Sequence, residues 1–384
     1  YGGDKGSQSG STMKPFVVAA ALAAGMSPKT TFNAPANMNF KGKDFKGCDG
    51  PIVQTKSWPV KGGGNGKIDM YTAAANSVNT YFVQLEQAVG LCNVLTMAES
   101  LGVPIDWTRD QVPSFVLGTK DIAPLTLAAA YAAFGARGVF CEPVVIASIK
   151  DRNGNDIPTS DGNCKQVLAP EVADGVNAVL GRAFKDGTAQ ASRISGFTAS
   201  GKTGTTENGS SGWLVGYTPD IVGIAMVAWD SDPYYKGYWE PRKPMGDDGN
   251  PEAPSMSGTV LSTGVRLNGY GAQDAGPIWK AAMTPVVPTL PGTAFTPISK
   301  GVANGKPLNP PSVANMDAAT AKATLEAAGF FVDVTNVYDA SPAGTYLGTS
   351  NCQRFLGGTC TQTFSQGPRP EDTAGAPVVN TGPR

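Results

Sequence analysis

The chain has 384 residues, 41% of them hydrophobic, with 48 glycines, 30 prolines and no histidine. Lysine and arginine number 30 against 31 aspartates and glutamates, a net charge of -1 that leaves no basic field for nucleic acid. Without histidine, Ser-His-Asp triads, Cys-His pairs and imidazole metal sites are excluded, so a general base must be a Lys, Tyr or carboxylate with a displaced pKa.

In chain order, the sequence opens at Tyr1 with no signal peptide, which reads as a fragment or a processed product. Ser11 to Gly25 (STMKPFVVAAALAAG) predicts a buried helix. Pro15 is tolerated only near its first turn, so Ser11 stands at the helix N-terminus. The apolar run Phe16 to Met26 is shorter than the roughly 18 residues of a membrane span and reads as a buried core helix; an anchor, if the parent protein has one, lies upstream of the chain. Residues 33–68 are rich in Gly and Lys and predict loop, and helical spacing follows over Tyr71 to Val89 and Pro124 to Phe134. Pro143 to Ile149 predicts a strand. Around Lys202, three short runs separated by Asn208-Gly209 and Pro219-Asp220 (SGKTGTT, WLVGYT, IVGIAMVAW) predict adjacent antiparallel strands. Helices before and between strands place the main body in the mixed α/β class, an antiparallel sheet flanked by helices plus an all-helical region.

Residues 231–268 are polar with aromatics (YYKGYW) and read as a loop bordering the cleft. Seven prolines between Pro285 and Pro311 predict a stiff linker. Beyond it, Met316 to Ala328 predicts a helix ended by Gly329, and FVDVTNV and TQTFSQG predict strands. Length at about 150 residues per domain predicts two to three domains. The reading divides the chain into a main domain 1–286, a linker 287–308, a small α+β module 309–368 and a disordered tail 369–384.

Six cysteines allow 15 pairings. Cys141 and Cys164 flank the turn signal Asn153-Gly154 almost symmetrically, Cys352 and Cys360 close a short loop, and Cys48 is left with Cys92. Three bridges imply an oxidising, extracytoplasmic compartment; the alternative is six reduced, partly buried thiols.

Three motifs satisfy the histidine-free restriction. Ser11 and Lys14 are three apart on a helix, hence neighbours, and a desolvated lysine can activate a serine hydroxyl. Ser77-Val78-Asn79 supplies a second hydroxyl to pass a proton and an amide to hold both Lys14 and a substrate; its bland reading is a helix cap. In Lys202-Thr203-Gly204, the glycine permits close approach of a ligand, while Thr203 and Thr205 alternate to one face and can bind a carboxylate beside the Lys202 charge. No cofactor or metal is called for.

Together these motifs are those of serine β-lactamases and penicillin-binding proteins. With GSTMKPF (10–16), VPSFVLGTKDIAPLTLAAAYAAFGARG (112–138), DGTA (186–189), GKTGTT (201–206) and GPIWK (276–280), residues 1–285 resemble the transpeptidase portion of a class A penicillin-binding protein. The resemblance implies a serine β-lactamase/transpeptidase-like fold and a D,D-transpeptidase acting on peptidoglycan stem peptides. Ser11 is then the nucleophile, Lys14 its base, Ser77 the proton relay and Asn79 a positioning group. The Ser11 and Thr205 backbone N–H groups form the oxyanion hole, Lys202 supplies charge, Thr203, Gly204 and Thr205 line the carboxylate site, and β-lactams trap Ser11. It also implies the outer face of the cytoplasmic membrane or the cell wall, with an anchor and a glycosyltransferase domain upstream. Residues 309–368 resemble a PASTA domain, a module for which muropeptide or β-lactam binding is implied, departing from it at Cys352 and Cys360.

Other readings share parts of this pattern. A class A β-lactamase is excluded because Gly264 and Gly305 stand three before the Leu-Asn pairs, where its E-x-x-L-N glutamate belongs. A D,D-carboxypeptidase shares all three motifs, and a non-catalytic sensor of β-lactams or muropeptides shares the tail. The family sheet also uses strands preceding the serine helix, so the sheet is expected to be incomplete in this chain.

Overall fold

A computed structural model describes residues 6–41, 45–50, 52, 57–64, 66–206, 208–229 and 255–369. A 3₁₀ turn, Gly10–Met13, runs directly into α1 (Lys14–Ala23). Pro15 falls in the first turn, where its missing N–H is no loss. The α1 sequence is apolar on every side and buried from Lys14 to Leu22, as a central helix must be. Around it stand α2 (Met70–Asn76), α3 (Asn79–Val89), α4 (Leu91–Ser100), α5 (Pro124–Gly135) and α6 (Pro170–Asp186). Helices α3, α4 and α6 pack on α1. Phe16 of α1 meets Tyr131 and Phe134 of α5 ring to ring.

The sheet that positions the site has three antiparallel strands in sequence order, β1 (Ser200–Thr205), β2 (Ser211–Tyr217) and β3 (Val222–Ala228). Lys202 lies opposite Val215, and Gly204 opposite Trp213. Every residue of β2 is buried, so the strand shows no polar alternation; helices cover it. Helix α7 (Gly271–Met283) lies on β2 and β3, and its Trp279 donates to the carbonyls of Gly216 and Gly223. Phe184, Leu214, Trp279, Met283 and Val287 form the core on this side. Among the described residues no strand preceding Ser11 joins this sheet; Ser7–Gln8 pairs with Asp121–Ile122.

Several sequence expectations are corrected. Residues 33–68 are not all loop. Asn37–Lys41 pairs with Ser57–Lys61, burying Phe40 and Val60 on one face, and Thr31–Asn33 pairs with Lys67–Asp69. The helical stretch from Tyr71 is two helices broken at Ser77. Pro143–Ile149 is not one strand: only Ile149–Lys150 pairs, with Asp156–Ile157, and the segment before it is exposed. The proline-rich run 287–308 is not a free linker, since apolar and polar contacts hold most of it down: Val287 is in the core, Phe295 meets Tyr217, Thr293 bonds Asp220, and Ser27 donates to the Ala303 carbonyl in α8 (Lys300–Asn304). Of the expected 231–268 loop, residues 231–254 lie outside the described residues, as does the expected tail from residue 370.

The chain divides into two units, Tyr1–Ala303 and Asn304–Arg384. In the second, α9 (Ala318–Ala327), N-capped by Asp317, packs on a sheet of β4 (Phe331–Val337), β5 (Tyr346–Ser350) and β6 (Thr359–Ser365), with β6 central, parallel to β4 and antiparallel to β5. Its core is Leu325, Phe330 and Cys360. All three expected disulfides form: Cys48–Cys92, Cys141–Cys164 and Cys352–Cys360. Among the described residues no helix is long and apolar enough to cross a membrane.

Candidate active site

The turn that carries Ser11 is fastened from several directions. Gly10 N–H donates to the Gly118 carbonyl (3.1 Å), and the Tyr131 hydroxyl donates to the Thr12 carbonyl (2.7 Å). Just upstream, the Ser211 hydroxyl and the Trp213 indole both donate to the Gln8 carbonyl. Ser11 itself is partly exposed, whereas Lys14, one turn on, is wholly buried. A side chain at the start of a helix, held rigid and partly exposed, is where a nucleophile can meet a ligand.

The Lys14 amine donates to the Ser77 carbonyl (2.7 Å), the Ser77 hydroxyl (3.2 Å) and Asn79 Oδ1 (2.5 Å), and stands 5.3 Å from the centre of the Phe82 ring. Ser77 ends α2 in the left-handed region (φ 56°, ψ 40°), an uncommon conformation for a residue with a Cβ. Such strain persists where surrounding bonds over-determine it, and here Lys14 grips both the carbonyl and the hydroxyl. The break between α2 and α3 turns Ser77 and Asn79 toward one amine. Asn79 Nδ2 donates to the Lys61 carbonyl (2.8 Å), which fixes the amide so that its oxygen faces Lys14. Gly62 follows at φ +144°; a Cβ there would stand 2.7 Å from Asn79 Nδ2, so only glycine fits.

Strand β1 brings the third motif. Lys202 Nζ donates to the Ser77 hydroxyl (2.8 Å) and to the Thr203 carbonyl (3.0 Å). Gly204 lies against the Ser9 carbonyl, and Gly10 against the Thr205 backbone, so strand and nucleophile turn touch main chain to main chain. Thr203 and Thr205 alternate to the opposite face from Lys202. The Thr203 hydroxyl shares a 2.7 Å hydrogen bond with the Thr188 hydroxyl, and Thr205 Oγ1 accepts from the Gly271 N–H (3.1 Å).

Two buried amines thus meet at one hydroxyl. Burial holds the Lys14 pKa well below its ordinary value, and the Lys202 charge pushes it further down. Burial brings Lys202 down to about 7. A buried amine that gives up its proton near neutral pH is a competent base for an adjacent hydroxyl.

The structure gathers Lys14, Ser77, Asn79 and Lys202 into one hydrogen-bonded network, with Ser11 on the turn that leads into Lys14 and Thr203, Gly204 and Thr205 on the strand beside it. Sequence reasoning missed Lys61, Phe82 and Thr188. Lys61 acts through its carbonyl, which leaves no trace in residue identity. Thr188 lies in the DGTA segment, whose recurrence in the resemblance was the one available signal.

A profile of the penicillin binding protein transpeptidase domain matches residues 4–240. Penicillin-binding protein 1A of Aquifex aeolicus is 32% identical over 227 residues, 58% of this chain and 29% of the relative. Its counterpart in a Neisseria meningitidis serogroup A strain is 30% identical over 233 residues, again 58% of this chain and 28% of the relative. The chain therefore matches less than a third of the length of these relatives. Among solved structures, the PonA1 protein of Mycobacterium tuberculosis in complex with penicillin V superposes with a TM-score of 0.58 at 22% identity, over 79% of this chain and 75% of that one. Penicillin-binding protein 1A of Haemophilus influenzae gives 0.56 at 20% identity, over 76% and 44%. The fold is that of these proteins.

Proposed function

The chain belongs to the penicillin-binding protein transpeptidase family, and from that premise we propose that it is a D,D-transpeptidase that crosslinks peptidoglycan stem peptides through an acyl-enzyme on Ser11. Lys14, neutral by burial, takes the Ser11 proton as Oγ attacks the carbonyl carbon of the penultimate D-Ala. The Ser11 and Thr205 N–H groups hold the resulting oxyanion. The carbon–nitrogen bond to the terminal D-Ala breaks, and its nitrogen takes a proton through Ser77. The amine of a second stem peptide then attacks the ester, forming the crosslink and returning the proton to Ser11. A β-lactam enters the same path, but its leaving nitrogen stays tethered, so the ester persists.

The observation that carries this reading is the bond from both lysines to Ser77 Oγ. Once Lys14 has taken the Ser11 proton it has three N–H groups, enough for the Ser77 carbonyl, Asn79 Oδ1 and the Ser77 hydroxyl; with Lys202 on the other lone pair of that hydroxyl, the Ser77 proton is left to be donated to the leaving nitrogen. Thr203 and Thr205 receive the terminal carboxylate with their hydroxyls. The three disulfides agree with action in the cell wall outside the cytoplasmic membrane. For the second unit we propose wall binding through muropeptides, in keeping with its PASTA-like sequence.

Intact-mass measurement before and after penicillin tests the reading. We expect the wild-type protein to gain the mass of one penicillin, and Ser11→Ala to gain none. Labelling of Ser11→Ala would overturn it. A D-Ala-D-Ala peptide offered with a D-amino acid amine then distinguishes transfer from hydrolysis; release of D-Ala with no amide product would make the protein a carboxypeptidase.

A further inference from the structure

The DGTA segment has no role in the reaction just described, yet it touches two of the three elements that carry it. Gly187 lies so close to α2 that a Cβ would stand 2.3 Å from the Ala75 carbonyl oxygen. Next to it, the Thr188 N–H donates to that same carbonyl (2.9 Å), one of the orphan acceptors at the C-terminal end of a helix. Ala75 precedes Ser77 by two residues. From this anchored backbone the Thr188 hydroxyl reaches the Thr203 hydroxyl at 2.7 Å.

The direction of that bond decides what Thr203 can do. A threonine hydroxyl carries one proton, and a carboxylate only accepts. If Thr203 donates to Thr188, it has nothing to offer a carboxylate; if it accepts from Thr188, its proton is free. Its neighbour Thr205 is already in the second state, because its Oγ1 accepts from the Gly271 backbone N–H, which can only donate. We propose that Thr188 is a positioning residue that donates to Thr203 and thereby turns the Thr203 proton toward the substrate carboxylate, as Gly271 does for Thr205. The polarised chain Thr188, Thr203, carboxylate strengthens its last bond, since each donor that also accepts becomes a better donor.

This inference rests on the acyl-enzyme reading, and its test separates the two. Acylation of Ser11 is followed with phenoxymethylpenicillin, which bears the free carboxylate, and with its methyl ester, which does not. For Thr188→Val we expect the acid-to-ester rate ratio to fall about tenfold, as for loss of one aligned bond to a charged group, with the ester rate unchanged. Thr188→Ser, which keeps the donor, restores the ratio. Thr188→Cys, a weak donor of similar size, lowers it and serves where the valine variant does not fold. An unchanged ratio in the valine or cysteine variant, or an equal fall for acid and ester, overturns the proposal. Absence of wild-type acylation overturns the acyl-enzyme reading itself, and this inference with it.

Discussion

Replacing Lys202 by Met should move the acidic limb of Ser11 acylation to higher pH. Lys14 and Lys202 reach the same Ser77 oxygen at 3.2 and 2.8 Å, so their nitrogens are at most about 6 Å apart. Two unit charges at that distance repel by about 3 kcal/mol at an effective dielectric near 20. Converted to a protonation equilibrium, this is roughly a hundredfold in the neutral fraction of Lys14 at a fixed pH below the limb. The sign follows from the order of titration. Below about pH 7 Lys202 is charged and drives the proton off Lys14; in the variant that push is gone and Lys14 keeps its proton to higher pH. Above about 7 wild-type Lys202 is itself neutral, so the two limbs converge there. The assay is the acylation rate with a β-lactam methyl ester between pH 5 and 9, read by intact mass; the ester removes the direct attraction between Lys202 and a carboxylate. Loss of the Ser77 contact lowers the plateau at every pH, but only the Coulombic term moves the limb. A limb that stays in place, or moves to lower pH, refutes the electrostatic reasoning.

Gly62→Ala forces a Cβ to within 2.7 Å of Asn79 Nδ2 on a φ of +144°, so we expect it to displace Asn79, slow acylation at least about tenfold and lower stability by about 1–3 kcal/mol. Undiminished acylation would show that Asn79 tolerates the shift. Glu86 on α3 is wholly buried, and burial holds its carboxyl well above the usual range, opposed by the Val116 backbone. A raised folded-state pKa favours the native state below the unfolded value of about 4.3, and that advantage is lost as pH rises toward the folded value. The wild-type melting temperature should therefore fall between pH 5 and 8 more than that of Glu86→Gln; parallel pH profiles would contradict the assignment.

The parts of the site legible in the sequence are those set by local geometry. Ser11 and Lys14 had to be neighbours because three residues make nearly one helical turn, and Thr203 and Thr205 had to share a face because a strand alternates. The Cys141–Cys164 bridge follows from two roughly equal arms on an Asn-Gly turn. The break at Ser77 was legible only as a helix cap; its left-handed geometry was not. ANSVNTYF holds neither glycine nor proline, and the left-handed serine is held by Lys14, 63 residues away. The strands within 33–68 and the docked run up to Ala303 were hidden in the same way. Glycine and proline weaken local propensity there, and what orders the segments is distant: Phe40 under Trp58, Phe295 against Tyr217, Ser27 on Ala303.

The absence of histidine bears on how the base is made. An imidazole titrates near neutrality by its own chemistry, and its neighbours need only tune it. A lysine has to be brought down by its surroundings, and two things do so for Lys14: burial, and a second cation. Both are unfavourable to folding taken alone, since a buried ammonium without a carboxylate is among the costlier groups a core can hold. The cost is kept within reach because the amines need not be charged together and because the groups they bond or stack on among the described residues are oxygen acceptors and an aromatic ring: the Ser77 and Thr203 carbonyls, the Ser77 hydroxyl, the Asn79 amide and Phe82. The same acceptors that make the pair tolerable hold Ser77 in its left-handed turn and aim Asn79. A substitution at any one of them should therefore alter acylation and stability together, and the two effects can be separated only where, as for Lys202, pH discriminates charge from contact.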